Sequence, residues 1–169
     1  QELWGLARRF AQGLKDLGVR PGDRVAIMLP NSPQFVIAFY GTLLAGGVGV
    51  NVNPLYTPRE LRHQLADAGA ETLVILDHLL PRYLEVEKEV PVKRVVVTGI
   101  KDFLPFPKNL LYPLKAKRDG LPLGFPKREG FHAFAELLKR PPAEPHVPDP
   151  EDLALLQYTG GTTGLSKGA

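Results

Sequence analysis

One segment of the chain combines residue types at a spacing that could do chemistry: Tyr158-Thr159-Gly160-Gly161-Thr162-Thr163-Gly164-Leu165-Ser166-Lys167-Gly168. Its glycines let the backbone take positive φ and approach a ligand closely, its threonines supply hydroxyl donors, and Lys167 supplies a mobile cation. Placed after a strand, such a loop wraps a polyphosphate. A surface loop built only for flexibility has no need of hydroxyls and a lysine at this density. The Walker A pattern does not apply, because that motif sets Lys directly before Ser or Thr, whereas Lys167 is followed by Gly168 and preceded by Ser166.

The remaining polar residues offer less. With no cysteine in the sequence, disulfides, thiolate metal sites, iron-sulfur clusters and cysteine nucleophiles are excluded together. His63 falls on a helix beside Leu61 and Leu65, as a structural or surface histidine does. His78, His132 and His146 have neither a telling carboxylate partner nor metal-ligand spacing to one another. Glu85, Glu87 and Glu89 alternate before Pro91 as a solvated face would, so no metal ligand is assigned, and Trp4 and Tyr56 read as packing residues. Glycosidase-type carboxylate pairs and a Gly-x-Ser-x-Gly nucleophile elbow are absent.

The elements that must hold the loop can be read from periodicity. Leu3, Leu6, Ala7, Phe10, Ala11, Leu14 and Leu17 form one helical stripe, ended by Gly18, and Pro21-Gly22-Asp23 turns into an apolar strand over Val25–Leu29. Ser32 followed by Pro33 opens a helix to about Ala45, which Gly46-Gly47 terminates. Val48–Val52 reads as a strand, Thr57-Pro58-Arg59-Glu60 as a capping box opening a helix that ends near Gly69, and Thr72–Leu76 as the next strand. A weaker helix over Leu80–Glu89 leads to a strand over Arg94–Thr98. Helices alternating with strands that are apolar on both faces predict an α/β fold with a parallel sheet flanked by helices.

Residues 101–148 break this rhythm. They hold nine of the 17 prolines and nine Lys and Arg against five Asp and Glu, so the positive charge is concentrated there and the net +3 of the chain is not a general nucleic-acid signature. The stretch reads as a loop or excursion with one short helix over Phe131–Leu138. Its aromatics Phe103, Phe106, Tyr112, Phe125 and Phe131 interleave with Lys101, Lys108, Lys115, Lys117, Arg118, Lys127 and Arg128. Two readings stand: aromatics folded against the body of a solvated excursion, or contact with an anionic membrane surface. RNA binding lacks a stacking motif. Residues 1–100 thus form an alternating helix and strand unit, 101–148 the excursion, and 149–169 a strand followed by the loop.

Composition bounds the rest. At 169 residues, 44% hydrophobic and 23% charged, the chain can bury a core, and it has neither a bilayer-spanning run nor a secretory leader at its start, so the expected compartment is the cytoplasm. The absence of Cys, a single Met and the many prolines suggest a heat-adapted source. The chain opens on Gln1 and stops just after the glycine-rich run, and it reads as a fragment.

The loop resembles the phosphate-binding signature of the adenylate-forming superfamily, Thr-Ser-Gly-Thr-Thr-Gly-x-Pro-Lys-Gly, which is shared by acyl-CoA synthetases, luciferases and peptide-synthetase adenylation domains. Gly160 stands where that pattern has Ser and Ser166 where it has Pro. Gln157 to Gly164 is similar throughout to the long-chain fatty acyl-CoA synthetase variant. Gly22-Asp23-Arg24-Val25-Ala26, Leu29-Pro30-Asn31, the run from Asn51 to Leu61, His63-Gln64-Leu65 and the run from Lys101 to Leu110 resemble bacterial long-chain fatty acid-CoA ligases as well.

That resemblance implies part of the large N-terminal domain of an adenylate-forming enzyme, and a two-step reaction using ATP, Mg2+ and coenzyme A. Thr159, Gly160, Gly161, Thr162, Thr163, Gly164 and Lys167 would bind the ATP phosphates, with Thr162, Thr163 and Lys167 stabilising the charge that builds on pyrophosphate. The implied partners are a long-chain fatty acid and coenzyme A, with peripheral membrane contact and a homodimer left open and no nucleic acid. The fragment alone is expected to be inactive. Two alternatives remain: an adenylate-forming enzyme for another carboxylic acid, and a non-catalytic phosphate-binding or membrane-surface module.

Overall fold

A computed structural model describes residues 2–159 and 167–168, with only the backbone course described for Thr159 and Lys167. The order is α1 (Glu2–Asp16), β1 (Arg24–Met28), α2 (Pro33–Leu44), β2 (Val48–Asn51), α3 (Pro58–Ala68), β3 (Thr72–Leu76), α4 (Leu80–Leu84) and β4 (Arg94–Thr98). It continues through α5 (Lys108–Arg118), β5 (Phe131–Ala133), α6 (Phe134–Leu137), β6 (Leu155–Thr159) and β7 (Lys167–Gly168).

The helices start and stop where their capping chemistry places them. The Ser32 hydroxyl accepts from the Phe35 amide at 3.3 Å ahead of α2. At α3 the capping box is complete: Thr57 N donates to Glu60 Oε2 at 2.8 Å, and Glu60 N donates to the Thr57 hydroxyl at 3.4 Å. The bond from the Thr57 backbone first, and then one that the Thr57 hydroxyl donates to Glu60 Oε2 at 2.8 Å, hold the Glu60 carboxyl below its ordinary pKa. Gly69 ends α3 at φ +60°, a left-handed cap that a side chain would strain.

The strands assemble in the order β5-β4-β3-β1-β2-β6-β7. The first six are parallel, in register through Ala26 opposite Leu73 and Val50, Val50 opposite Leu156, and Val74 opposite Val96. Among the described strands only β7 runs antiparallel, against β6. The step from β1 to β2 moves one way across the sheet and the step from β2 to β3 the other, so right-handed crossovers put α2 and α3 on opposite faces. α1 packs along α2 and α6, while α3 packs with α4. Every residue of β3 is buried, as are Val25 to Met28 of β1, so both faces of the central strands are covered.

Three sequence expectations change. The helix predicted over Leu80–Glu89 ends at Leu84 and gives way to turns. The segment predicted as a short helix over Phe131–Leu138 begins as the edge strand β5, which pairs with β4, and becomes helical only from Phe134. The excursion also contains a helix, α5, where the sequence reading expects loop; Pro113 inside it removes one helical amide and breaks the helical pattern. Of its aromatics, Phe134 is fully buried with its ring centroid 4.6 Å from that of Phe10, and Phe103, Phe125 and Phe131 pack partly buried against the core. The reading in which aromatics fold against the body holds for these residues, whereas Phe106 is 78% exposed.

Candidate functional site

The predicted loop springs from the sheet between two paired backbone positions. β6 enters from its pairing with β2, where Asn51 lies opposite Gln157, and β7 returns beside it with Tyr158 opposite Gly168 and Thr159 opposite Lys167. The stem thus brings Thr159 and Lys167 side by side in the backbone ladder, although seven residues separate them in sequence. The predicted phosphate contacts Gly160, Gly161, Thr162, Thr163 and Gly164 lie outside the described residues. In an open α/β sheet, ligands bind beyond the carboxyl ends of the parallel strands, which is where β6 delivers this stem.

A cleft of about 480 Å³ opens at the same end, lined by residues at and just after the carboxyl ends of β1, β2 and β6. Leu29, Asn31, Asn51, Asn53, Tyr56 and Gln157 are among its walls. A second cleft of about 490 Å³, which Pro21, Gly46, His146 and Asp152 help to line, sits at the amino ends of β1 and β2, away from the loop. The strand polarity and the stem both favour the first cleft as the site.

Polar side chains to which the sequence assigned no role fix the floor of this site. The Asn51 amide donates to Gln157 Oε1 at 2.9 Å, and the buried Gln64 amide donates to the Asn51 carbonyl at 2.7 Å. These bonds connect β2, α3 and β6 beside the stem of the loop. Tyr158, 8% exposed, donates its hydroxyl to Asp67 Oδ2 of α3 at 2.6 Å. Burial first, then the bond to the Asp67 carboxylate and its charge, push the Tyr158 hydroxyl up to about 12, so it remains protonated and donating at neutral pH. Arg82 Nη1 donates to the carbonyls of Pro54 at 2.6 Å and Tyr56 at 3.0 Å, clamping the turn after β2. Neighbours in the ladder or residues 91 apart in sequence, as Tyr158 and Asp67 are, leave no periodic mark by which a sequence reader could have found them.

The other candidates stay apart from the site. His63 is half-buried on α3, His132 lies on the edge strand β5, and His146 belongs to the amino-end cleft. Burial, and secondarily the Arg94 charge, lower the His132 pKa. His78 departs from expectation by having a carboxylate at hand, with Nδ1 3.7 Å from Asp77 Oδ1, but that separation exceeds a hydrogen bond. Glu87 pairs with Arg128 at 2.5 Å and Glu89 with Arg62, which uses these glutamates as surface ion pairs. Among the described residues no three Asp, Glu or His side chains converge.

Comparison with known proteins agrees with the geometry. The family model described as AMP-binding enzyme matches residues 1–169. The chain is 45% identical over 166 residues to a long-chain-fatty-acid–CoA ligase of Bacillus subtilis (strain 168), covering 96% of this chain and 30% of the relative. It is 42% identical to a ligase of the same name from Escherichia coli O157:H7, again covering 96% of this chain and 30% of the relative. Among solved structures, a long-chain-fatty-acid-CoA ligase from Archaeoglobus fulgidus superposes with a TM-score of 0.76 at 29% identity, covering 99% of this chain and 28% of that one. The chain therefore spans about 30% of the length of the curated relatives it matches. With its whole length matched by one family model and its loop stem at the carboxyl ends of a parallel sheet, the chain belongs to the AMP-binding enzyme family.

Proposed function

We propose that the protein carrying this chain is an ATP-dependent long-chain fatty acid–CoA ligase and that this chain supplies its phosphate-binding loop. The observation that carries the reading is the β6–β7 stem, which brings the backbones of Thr159 and Lys167 together beyond the carboxyl ends of the sheet. The identity of 40% or more to several bacterial long-chain-fatty-acid–CoA ligases supports the choice of acid.

In the first step a fatty carboxylate oxygen attacks the α-phosphorus of ATP. A bond forms between that oxygen and the phosphorus, the α–β phosphoanhydride bond breaks, and pyrophosphate leaves with the electron pair. Charge accumulates on the departing oxygens, and preorganised donors aimed there lower the barrier more than donors aimed at the ground state. Thr159, Gly160, Gly161, Thr162, Thr163, Gly164 and Lys167 hold the β and γ phosphates, with the Thr162 and Thr163 hydroxyls and the Lys167 ammonium meeting the developing charge. Mg2+ bound with the ATP would neutralise part of the phosphate charge that these residues meet. In the second step the coenzyme A thiol gives its proton to solvent, its sulfur forms a bond to the acyl carbonyl carbon, and the bond from that carbon to the phosphate oxygen of AMP breaks, AMP leaving with the electron pair. No residue of this chain serves as nucleophile or general base.

The proposal carries a cytoplasmic location and a heat-adapted source. The function is tested by acid-dependent ATP–pyrophosphate exchange with the intact protein across a panel of long-chain, short-chain, aromatic and amino acids. Exchange driven best by palmitate-length acids is the expected result. Exchange driven best by an aromatic or amino acid, or none with any acid, overturns the reading.

A further inference from the structure

Helix α5 carries an apolar face that nothing in the described residues covers. At about 100° of rotation per residue, Leu110, Leu111 and Leu114 fall within one arc of about 100°. They are 65%, 58% and 69% exposed, and Phe106, just before the helix, is 78% exposed. The opposite side of α5 points inward, with Ala116 fully buried and Asn109, Tyr112 and Pro113 half-buried. The three leucines are therefore not a fraying end; they are the outer face of an anchored helix.

The charges around this face identify its occupant. Lys117 flanks the leucine arc on one side and Lys108 and Lys115 on the other, all exposed, and α5 contains no Asp or Glu. Arg118 lies over the arc and is shared with Asp119 just beyond the helix end, at 3.5 Å. A protein surface covering the leucines would have to desolvate these ammonium groups or meet each with a carboxylate. A bilayer interface takes both at once, with leucines in the acyl boundary and lysines on anionic headgroups. We propose that α5 is a membrane-docking helix for anionic lipid surfaces, through Leu110, Leu111 and Leu114 with Lys108, Lys115 and Lys117. This replaces the aromatics suggested by the sequence, most of which pack inward, with leucines that the Pro-interrupted pattern hid.

The test is sedimentation of the intact protein with vesicles of phosphatidylcholine containing phosphatidylglycerol, against phosphatidylcholine alone, without ATP, coenzyme A or fatty acid. Failure here therefore leaves the ligase proposal untouched. Binding to the anionic vesicles that weakens with added salt is expected, with loss of about fivefold per lysine in Lys115→Gln and Lys117→Gln. Leu110→Gln/Leu111→Gln/Leu114→Gln should weaken it tenfold or more while leaving the thermal midpoint in place, since these side chains are exposed. Absence of anionic-vesicle binding, or wild-type binding by the triple leucine variant, overturns the proposal. A thiol-reactive probe at Leu114→Cys gives a second readout: free labelling without vesicles and protection with them is expected. Protection already present without vesicles means that protein covers this face, which also overturns it.

Discussion

The Tyr158 hydroxyl donates a 2.6 Å hydrogen bond to Asp67, joining the strand that enters the loop to the helix that connects β2 to β3. Gly168, the ladder partner of Tyr158, lies against its ring, and a Cβ placed on Gly168 would sit 3.0 Å from ring carbons Cε2 and Cζ. One aromatic side chain thus carries both an anchor to α3 and the close packing of the returning strand. The loop is held at its two ends by the same residue.

The tyrosine anchor has an alkaline signature. Because the folded state raises the Tyr158 pKa from 10 to about 12, the neutral hydroxyl is favoured on folding. Its contribution to stability is complete below pH 10 and disappears as pH rises through about 12. Tyr158→Phe should lower stability by about 1 kcal/mol at pH 7. Denaturant titrations between pH 8 and 12 should show that gap closing with pH; a gap of constant size would mean that the Asp67 bond is not its source.

Gly168→Ala should disturb the site without unfolding the sheet. The new methyl meets the Tyr158 ring at 3.0 Å, so the ring or the strand beside Lys167 must give by a few tenths of an ångström. The expected result in the intact protein is slower adenylation with a raised KM for ATP and an unchanged order of preference among acids. Wild-type kinetics for both substrates would show that the β7 register does not matter to the loop.

Phe134→Ala tests whether the excursion is part of the core. Phe134 is 1% exposed, meets Phe10 at 4.6 Å and Phe103 at 6.3 Å between centroids, and its loss should cost about 3 to 5 kcal/mol. Chemical denaturation of the intact protein measures it. A loss below about 1 kcal/mol would fit a loosely attached excursion instead.

Much of this architecture was legible in the sequence because its signals are local. Pro33 after Ser32, the Thr57 to Glu60 box and Gly69 each act within one helical turn, and the four strands read from apolar runs appear at those runs. The failures are non-local or mixed signals. Phe131 to Ala133 becomes strand because β4 offers an edge to pair with, which overrides a short helical pattern. In α5, Pro113 obscures a helix that is fixed by burial of Ala116. At the site, the loop motif was visible as composition, but the Asn51–Gln157 and Asp67–Tyr158 bonds join elements whose proximity only the strand order determines.

The measurement that bears most directly on the function is single-turnover kinetics of the two half-reactions in the intact protein with Lys167→Ala. If the ammonium acts on the phosphates of ATP and the departing pyrophosphate, adenylation should slow by an amount equivalent to about 2 to 4 kcal/mol, the scale for loss of one preorganised donor. Thioester formation from a supplied acyl-adenylate should keep most of its rate, because pyrophosphate has already left. Ser166→Pro, which stiffens the chain without removing charge, serves as the control and should change either step little. An equal loss in both half-reactions for Lys167→Ala would contradict the assignment of this loop to the leaving phosphates.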